Sequence, residues 1–503
     1  MIGSQPAVSH PHSPATPPAD ARAGRRAGDW LGSSLAPVIL GCFLLALISV
    51  LVLSWVPSSD PWAWIDWGQE IASSKLSVGL AGGPSWKPFP AVFTSVFGLF
   101  GSAAPHLWLL VSRTAGLLAF VAAFRLGRRF AGPVAGIVAV IALCFVQDWL
   151  FYLARGASEP IVAALTLWAI DRHLSGSPRL AYFLAFLATL NRPEFTPFLA
   201  LYAVYLWLRV PGSRPLAVTL LVLVPIAWLV PPWLISGNAF QAGSAALGGK
   251  GSPGGALPEL RSSVPLMGVP TLVLAALGLG FAYVRREFTL LWLGAGAIAW
   301  ALMVAFITQI GYGLPRYLLP AGTVACVLAG VGFVRIAEFA DAKLGRPRPH
   351  GPDWAAIAAG ALVVAATLPA SIPRVNSLIG QGRDANQAAT LQGRLFTAVE
   401  RVGGRSEILP CGSSHVAVNH TMASALAWKL QTRLSRVRPL MRGTGYVFAA
   451  PHLKSTGTPP PIVRSPQRSV TRVTVVAPWT VRLVRHVGAT GPPRCARRPR
   501  VAA

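Results

Sequence analysis

This chain of 503 residues has few charged side chains, and very few of them are acidic. Asp, Glu, Lys and Arg make up 12% of it, against about 25% in an ordinary soluble domain. Only 17 residues are acidic, whereas 44 are Lys or Arg. Apolar residues reach 53% and the mean hydropathy is +0.53. A soluble core does not need so much apolar surface, so the composition excludes an ordinary soluble domain and indicates a polytopic membrane protein.

Cysteine is also scarce, with five residues in the whole chain. Three of them, Cys42, Cys144 and Cys326, lie in apolar runs, where cysteine behaves as a small hydrophobic side chain. The other two, Cys411 and Cys495, could pair outside the cytoplasm, or both could be free thiols. Because no two cysteines have the short spacing of a structural zinc site, we predict no such centre.

The N-terminus has no pattern typical of a cleavable leader. The first 30 residues are polar and rich in Pro, Ala and Ser, and the apolar run that follows is too long for the core of a signal peptide. We therefore interpret residues 1–32 as a disordered cytoplasmic tail and the first apolar run as a signal anchor.

Apolar runs predict an all-α bundle of about 11 transmembrane helices over residues 33–373. The fifth run has only about a dozen apolar residues and could be a short or tilted helix. The runs lie at 35–56, 106–124, 133–151, 158–171, 179–190, 195–208, 216–235, 264–284, 289–308, 317–335 and 354–372.

The distribution of Lys and Arg predicts the orientation of this bundle. Every second connection between apolar runs is basic, beginning with Arg22, Arg25 and Arg26 before the first run. Short cytoplasmic loops collect Lys and Arg, so we expect a multi-pass plasma-membrane protein with a cytoplasmic N-terminus. An odd number of spans then leaves residues 374–503 outside the cytoplasm.

The polar region 374–503 is predicted to be a small extracytoplasmic α/β domain, with strand-like segments at 407–410, 446–450 and 472–476. It contains 20 of the 44 basic residues, and its only acids are Asp384, Glu400 and Glu407, so its net charge is about +17. Such a charge would attract anionic lipid headgroups or an acidic envelope polymer, although a basic bias in composition explains it equally well. A location outside the cytoplasm excludes nucleic acid as a partner.

The first outer connection, residues 57–105, combines carboxylates, tryptophans and one lysine near the membrane. Residues 59–70 read SDPWAWIDWGQE, and residues 84–90 read PSWKPFP. Carboxylates near lipid are costly unless they are satisfied, so Asp60 and Asp66 indicate a functional site. Lys87 would suit an anionic group beside them. We expect two interfacial helices in this loop, one of them amphipathic at 88–100.

Plainer explanations exist for the same residues. Asp60 followed by proline fits a helix N-cap with Pro at the first helical position. Asp66 and Glu70 could lie on a solvated helix face. Lys87 could extend from the interface toward water as an anchor.

Further charged residues lie at the predicted outer ends of at least four helices. Each of them alone is more often a helix-end anchor than a catalyst, but one outward-facing polar cavity would explain their common location. They are Arg155, Glu159, Arg192, Glu194, Arg316 and the adjoining Tyr317.

Over residues 35–340 these motifs resemble the GT-C superfamily of integral-membrane glycosyltransferases, which includes the aminoarabinose transferases and the protein O-mannosyltransferases. The chain departs from the family at Pro61, where many relatives have Glu, and at Phe89, in place of the second Pro of a Lys-Pro-Pro motif. The matching positions are Asp60 after the first span, Lys87 before Pro88, Arg113 in the second span, the acidic-Pro turn at Glu159, and Arg316 in Arg-Tyr-Leu-Leu-Pro.

The resemblance implies transfer of a sugar from a polyprenyl-phosphate-linked donor to an extracytoplasmic glycan, lipid or protein. It implies that Asp60 is the base, with Asp66 or Glu159 as a helper. Because an Asp-Glu pair is missing at Pro61, a divalent cation is left as an open question. The implied substrate-binding residues are Lys87, Arg113, Arg192, Glu194, Arg316, Tyr317, Trp64 and Trp86, although an interfacial aromatic belt is the plainer explanation for the tryptophans.

Two other classes of protein fit the composition. A polytopic transporter would have a similar number of spans, but the two halves of this chain show no similarity to each other and most charges lie at helix ends. A non-catalytic membrane protein that binds envelope polymer is the other alternative.

Overall fold

The computed structural model describes residues 35–73, 84–248, 255–309, 314–343, 354–409, 415–441, 444–451, 460–463 and 468–486. The predicted tail at 1–32 lies outside these residues, as do Cys411 and Cys495. The described part is mostly helical, and its strands all lie beyond residue 414.

The helices follow the apolar runs and are numbered here in chain order. The predicted short fifth run is a helix of 14 residues, about 21 Å long. The helices are α1 (Ala36–Val52), α2 (Ser59–Ala72), α3 (Pro88–Phe97), α4 (Ala104–Cys144), α5 (Trp149–Ala154), α6 (Glu159–Leu174), α7 (Pro178–Asn191), α8 (Thr196–Arg209), α9 (Arg214–Ser236), α10 (Gln241–Gly248), α11 (Ala256–Arg261), α12 (Ser263–Met267), α13 (Val269–Val284), α14 (Phe288–Gln309), α15 (Leu319–Lys343), α16 (Trp354–Arg401), α17 (Gly404–Ile408) and α18 (Ala423–Lys429).

Four helical segments of the described chain are long and apolar enough to cross a membrane. They are Pro88–Cys144, Pro211–Ser236, Phe288–Gln309 and Pro315–Ala340. A fifth is added if α11 and α12 are counted with α13 as one span bent by 102°. A helical membrane bundle is therefore confirmed, whereas the predicted number of 11 spans is not.

Helix α4 contains two of the predicted runs and reverses direction between them. Ala131 and Gly132 leave helical geometry, and Pro133 follows. A Cβ atom on Gly127 would lie 2.7 Å from the carbonyl oxygen of Ala135, a contact that a continuous helix does not allow for residues eight positions apart. The two halves of α4 therefore pack against each other as a hairpin.

The first outer connection contains two helices, α2 and α3, as the sequence predicts. They meet at Gly68, where a Cβ atom would lie only 2.1 Å from the carbonyl oxygen of Thr94. This backbone-to-backbone contact needs a glycine. It fixes the angle at which α2 carries its carboxylates and tryptophans.

The C-terminal region forms a five-stranded sheet in the order β2-β1-β4-β7-β6. Strands β2, β1 and β4 are parallel, and β4, β7 and β6 are antiparallel. The predicted strands at 446–450 and 472–476 are confirmed, but the predicted strand at 407–410 is wrong, because α17 covers Gly404–Ile408. The strands are β1 (His415–Val418), β2 (Val437–Arg438), β3 (Leu440–Met441), β4 (Gly445–Ala449), β5 (Ile462–Val463), β6 (Arg468–Val476) and β7 (Trp479–His486), of which β3 and β5 form a separate pair.

One face of this sheet packs against helices and thereby against α2. Val416, Phe448 and Val481 share a buried cluster with Leu395 of α16 and Leu426 of α18. Helix α2 joins the layer, since the indole Nε1 of its Trp62 donates to Gln392 Oε1 of α16 at 2.9 Å. The strand region is therefore held against the first outer connection.

Helix α16 connects the bundle to the sheet without a break. It runs across residues 373 and 374, where the sequence places the domain boundary. Nη1 of its Arg374 donates to the carbonyl oxygens of Phe145 at 2.6 Å and Leu266 at 3.1 Å. These bonds hold the helix beside the ends of α4 and α12.

Candidate active site

A polar cavity of about 540 Å³ lies where α2, α5, the N-terminus of α6 and α16 meet. The bundle contributes most of its wall, and the C-terminal region contributes the rest through Gln381, Asp384, Ala388, Thr421 and Met422. The charged residues of the wall are Asp60, Asp148, Arg155, Glu159, Arg316 and Asp384.

A chain of alternating charges runs along one side of this cavity. Arg316 Nη2 lies 3.6 Å from Asp60 Oδ2, and Arg316 Nε lies 3.4 Å from Glu159 Oε1. The same Glu159 oxygen accepts a hydrogen bond from Arg192 Nη2 at 3.0 Å. These four side chains therefore join α2, the start of α6, the end of α7 and the turn Pro315–Leu318, which are distant in sequence.

The two carboxylates of this chain have different surroundings. Glu159 is buried, with 3% of its side chain exposed, and two guanidinium groups contact it. Asp60 keeps 36% of its side chain exposed and contacts one guanidinium at a longer distance. Glu159 is thus held as an anion between two cations, whereas Asp60 is accessible from the cavity.

Asp60 does not cap its helix. Helix α2 begins at Ser59, its N-cap is Ser58, and no side chain bonds to the free backbone N–H groups there. Asp60 lies in the first turn, where a negative charge is favourable at the positive end of the helix dipole. Its carboxylate points to Arg316 instead of to the backbone.

Lys87 lies next to the cavity in a fixed position. Its Nζ donates a hydrogen bond to Ser158 Oγ at 2.7 Å and lies 5.2 Å from the centre of the Trp64 ring. Both Ser158 and Trp64 line the cavity. Burial, together with the nearby positive charge of Arg192, lowers the pKa of Lys87 to about 8.

The loop before α2 is fastened to the turn between α5 and α6. The N–H of Ser58 donates to the carbonyl oxygen of Arg155 at 3.0 Å, and Arg155 donates back to the carbonyl oxygens of Val56 and Pro57. Gly156 follows with a φ of +75°. A Cβ atom there would lie 3.0 Å from the indole nitrogen of Trp108, so the turn requires glycine. This arrangement places Asp60 opposite Glu159.

Several residues implied by the family resemblance lie away from the cavity wall. Arg113 is buried and donates to Ser49 Oγ and to the carbonyl oxygen of Ala154, so it supports the end of α5. Trp86 donates to the carbonyl oxygen of Ala227 and packs against Trp67.

Arg192, Glu194 and Tyr317 lie just outside the cavity. The Arg192 guanidinium stacks on the Tyr317 ring, with its carbon 4.3 Å from the ring centre, while it binds Glu159. Glu194 is in the short turn Pro193–Phe195 and does not line the cavity.

Asp66 is on a different face of α2 from Asp60. It is buried, and within the described chain neither of its carboxylate oxygens has a hydrogen-bond partner. Burial and the neighbouring charge of Glu70 raise its pKa well above the ordinary value. Burial also raises the pKa of Glu70 to about 7, although Arg433 lies close enough to oppose this. These two acids face the C-terminal region.

The cavity also brings together several residues that no sequence motif singles out. Asp148 and Asp384 share the wall. Tyr152 and Gln381 also line the cavity, and Gln381 Oε1 accepts a hydrogen bond from the N–H of Phe151 at 3.1 Å. Two acidic residues could have been noticed in the sequence. Asp148 is a lone carboxylate within the end of an apolar run, and Asp384 is a lone carboxylate after the last apolar run.

A second, apolar cavity of about 530 Å³ lies among α6, α7, α8, α14 and α15. One end of it is lined by Phe195, Trp300 and Pro320. The N–H of Phe195 bonds to the carbonyl oxygen of Arg192, and the Trp300 indole donates to the carbonyl oxygen of Tyr317. The apolar cavity therefore ends beneath the residues that hold Glu159.

Metal-binding groups do not assemble in the described part of the chain. No cluster there brings together three or more His, Cys, Asp or Glu side chains in a position to hold an ion. Between Asp60 and Glu159 the positive charge is the guanidinium of Arg316.

No protein-family model matches this chain, and no curated protein matches it. Solved structures do. The crystal structure of ArnT from Cupriavidus metallidurans bound to undecaprenyl phosphate is 14% identical, with a TM-score of 0.53 over 92% of this chain and all of that chain. The apo state of the same enzyme is 15% identical, with a TM-score of 0.52 over 92% of this chain and 98% of that chain.

A more distant similarity is to the oligosaccharyltransferase of Archaeoglobus fulgidus tethered to an acceptor peptide. It is 13% identical, with a TM-score of 0.44 over 82% of this chain and 64% of that chain. The similarity to ArnT, an aminoarabinose transferase, covers both the bundle and the C-terminal region. The chain therefore shares the fold of ArnT, and this agrees with the fold that the resemblance of its sequence motifs implies.

Proposed function

We propose that the protein is a membrane glycosyltransferase that moves a sugar from a polyprenyl-phosphate-linked donor to an extracytoplasmic acceptor. The observation that carries the proposal is the convergence of Asp60, Glu159 and Arg316 on one polar cavity, with Lys87 fixed beside it by Ser158. Such a reaction needs a base for the acceptor hydroxyl and cations for the leaving phosphate. This cavity has both.

Asp60 is the base in this proposal. It is the accessible carboxylate, with one ion-pair contact at 3.6 Å, and so it can accept the proton of an acceptor hydroxyl. Glu159, buried between Arg192 and Arg316, orients those guanidiniums instead. Asp66 is on another face of α2, so we assign it no step in the reaction.

Lys87 and Arg316 hold the donor phosphate. The Lys87 ammonium is fixed by Ser158 and the Trp64 ring, so little conformational entropy is lost when a phosphate binds to it. Arg316 presents a planar fork of donors that suits phosphate oxygens. The leaving phosphate would then regain its negative charge next to two cations.

The apolar cavity accommodates the lipid part of the donor. Its apolar lining suits a prenyl chain, and one end of it lies beneath Arg192 and Tyr317. A chain lying there has its phosphate end directed toward the charged residues. The crystal structure of ArnT with undecaprenyl phosphate supports a donor of this class.

We also propose that Arg316 takes the place of a divalent cation between the two carboxylates. Its guanidinium already neutralises Asp60 and Glu159. Transfer should accordingly continue after treatment with EDTA, and added Mg²⁺ or Mn²⁺ should not stimulate it. Loss of transfer on chelation, restored by one of these metals, would contradict this part of the proposal.

Asp60→Asn tests the function most directly. The amide keeps the size of the side chain but cannot act as a base, so transfer from a synthetic polyprenyl-phosphate sugar in membranes should fall by at least about 100-fold. Protein level and thermal stability should stay normal, because Asp60 bonds to no backbone group of its helix. Full transfer by the variant would remove Asp60 from the mechanism. If the protein were a transporter or a non-catalytic protein, the unsubstituted protein would also show no transfer.

The location of the acceptor follows from the proposed orientation, with the N-terminus inside and residues 374–503 outside. Ser73 and Ser406 are exposed and lie on the predicted outer side, and Arg209 is exposed on the predicted inner side. In a background without Cys411 and Cys495, an impermeant maleimide should label Ser73→Cys and Ser406→Cys in intact cells. Arg209→Cys should react only after the membrane is opened, and the reverse pattern would place the cavity on the cytoplasmic side.

A further inference from the structure

The face of the five-stranded sheet that is turned away from the helices carries two opposed arginines. Arg472 of β6 and Arg482 of β7 are directly paired across the antiparallel ladder, and both are exposed. Side chains in such a pair are about 5 Å apart at Cβ, and like charges there are destabilising. This cost is removed when an anion lies between them.

No carboxylate of the C-terminal region compensates these charges. Of the three acids in residues 374–503, Asp384 lines the polar cavity and Glu400 binds Lys429 at 2.8 Å. Glu407 accepts a hydrogen bond from Tyr446. Within the described chain neither Arg472 nor Arg482 has an ion-pair or hydrogen-bond partner.

The arginine pair is directed away from the membrane bundle. Arg482 alternates along β7 with Val481 and Leu483, which are buried against the helix layer. It therefore shares the opposite face with Val484, which packs with Met441 of the small β3–β5 pair. Because the helix layer is the side that contacts α2, the arginine face is directed away from α2.

We propose that this arginine face, formed by Arg472 and Arg482, binds a linear polyanion of the cell envelope with repeated phosphate groups. The pair offers two neighbouring guanidinium groups, each with several N–H donors in one plane. Such groups suit the oxygens of successive phosphates along a polymer. Its direction away from the bundle favours a polymer over lipid headgroups. The inference uses the outer location proposed above but does not depend on sugar transfer.

The experiment uses the full-length protein in nanodiscs of phosphatidylcholine, with fluorescent inorganic polyphosphate as the probe. The unsubstituted protein should bind with an affinity that falls as salt rises. The double variant R472Q/R482Q should bind about tenfold more weakly, with a shallower dependence on salt. R472K/R482K should keep the salt dependence, because it keeps both charges.

The matched control is R383Q/R405Q, which removes two exposed arginines from α16 and α17 in the helix layer. It should bind polyphosphate as the unsubstituted protein does. Equal affinity in R472Q/R482Q and in the control would overturn the proposal. It would also be overturned if R472Q/R482Q lost binding to phosphatidylglycerol vesicles while polyphosphate binding was unchanged, since the face would then bind a bilayer.

Discussion

The guanidinium of Arg316 lies 3.6 Å from the carboxylate of Asp60, and the same guanidinium lies 3.4 Å from Glu159. One residue late in the bundle thus joins the first outer connection to the start of α6. Arg316 has to remain near Asp60 without withdrawing the carboxylate from the cavity. The distance of 3.6 Å is longer than that of a charged hydrogen bond, so Asp60 is left able to react.

Arg316→Lys should reduce the rate of transfer while leaving the fold intact. A lysine ammonium is a point charge and cannot contact both carboxylates with a planar fork. We expect kcat to fall by about 100-fold, the effect of losing one preorganised cationic donor. Arg285→Lys is the matched control, because Arg285 forms an exposed ion pair with Glu338 far from the cavity. An equal loss of rate in both variants would show a general effect on the bundle.

Donor binding should weaken above pH 8. The pKa of Lys87 is lowered to about 8 from its ordinary value of 10.5, so the ammonium loses its proton between about pH 7 and pH 9. The KM for the lipid-linked donor should rise over this interval. In Lys87→Arg the guanidinium stays charged, and its KM should not change with pH. An identical pH profile in both proteins would assign the titration to another group.

Trp64 and Trp86 should respond differently to substitution. Trp64→Leu removes the ring beneath the Lys87 ammonium. Loss of this cation–π contact should cost about 1 kcal/mol of donor binding, so the donor KM should be roughly fivefold higher. Trp86→Phe removes the hydrogen bond to Ala227, so it should lower the thermal midpoint and leave KM unchanged. A higher KM for Trp86→Phe alone would place Trp86 in the donor site.

Glu70→Gln should stabilise the protein at neutral and alkaline pH. The folded chain raises the pKa of Glu70 from 4.5 to about 7, so its carboxyl keeps its proton in the folded protein after the unfolded chain has lost it. The contribution of Glu70 to stability is therefore complete below pH 4.5 and is lost as the pH rises to about 7. Glutamine stays neutral at every pH and avoids this loss.

The measurement is the thermal midpoint in detergent at pH 4.5, 6 and 8. The midpoint of Glu70→Gln should exceed that of the unsubstituted protein at pH 8, and the two should agree at pH 4.5. Glu400→Gln, at an exposed ion pair with Lys429, serves as the control and should follow the unsubstituted protein's pH dependence. A difference that does not vary with pH would mean that folding does not shift the pKa of Glu70.

The order of residues is enough to predict a helical membrane protein and to single out the charged residues Asp60, Lys87, Glu159 and Arg316. These features are local: apolar length decides what enters a bilayer, and a charge at the end of an apolar run is visible in the order of residues. Helices α2 and α3 in the first outer connection were predictable for the same reason.

Which of these side chains meet depends on how the helices pack against one another. Asp60 and Asp66 look equivalent in the sequence, but six positions along a helix turn a side chain by about 240°. One therefore lines the cavity and the other is buried toward the C-terminal region. Asp148 and Asp384 are far apart in sequence, and they share one wall because Arg374 holds α16 beside the end of α4. Contacts of this kind depend on how helices pack, and helix packing is not contained in the local order of residues.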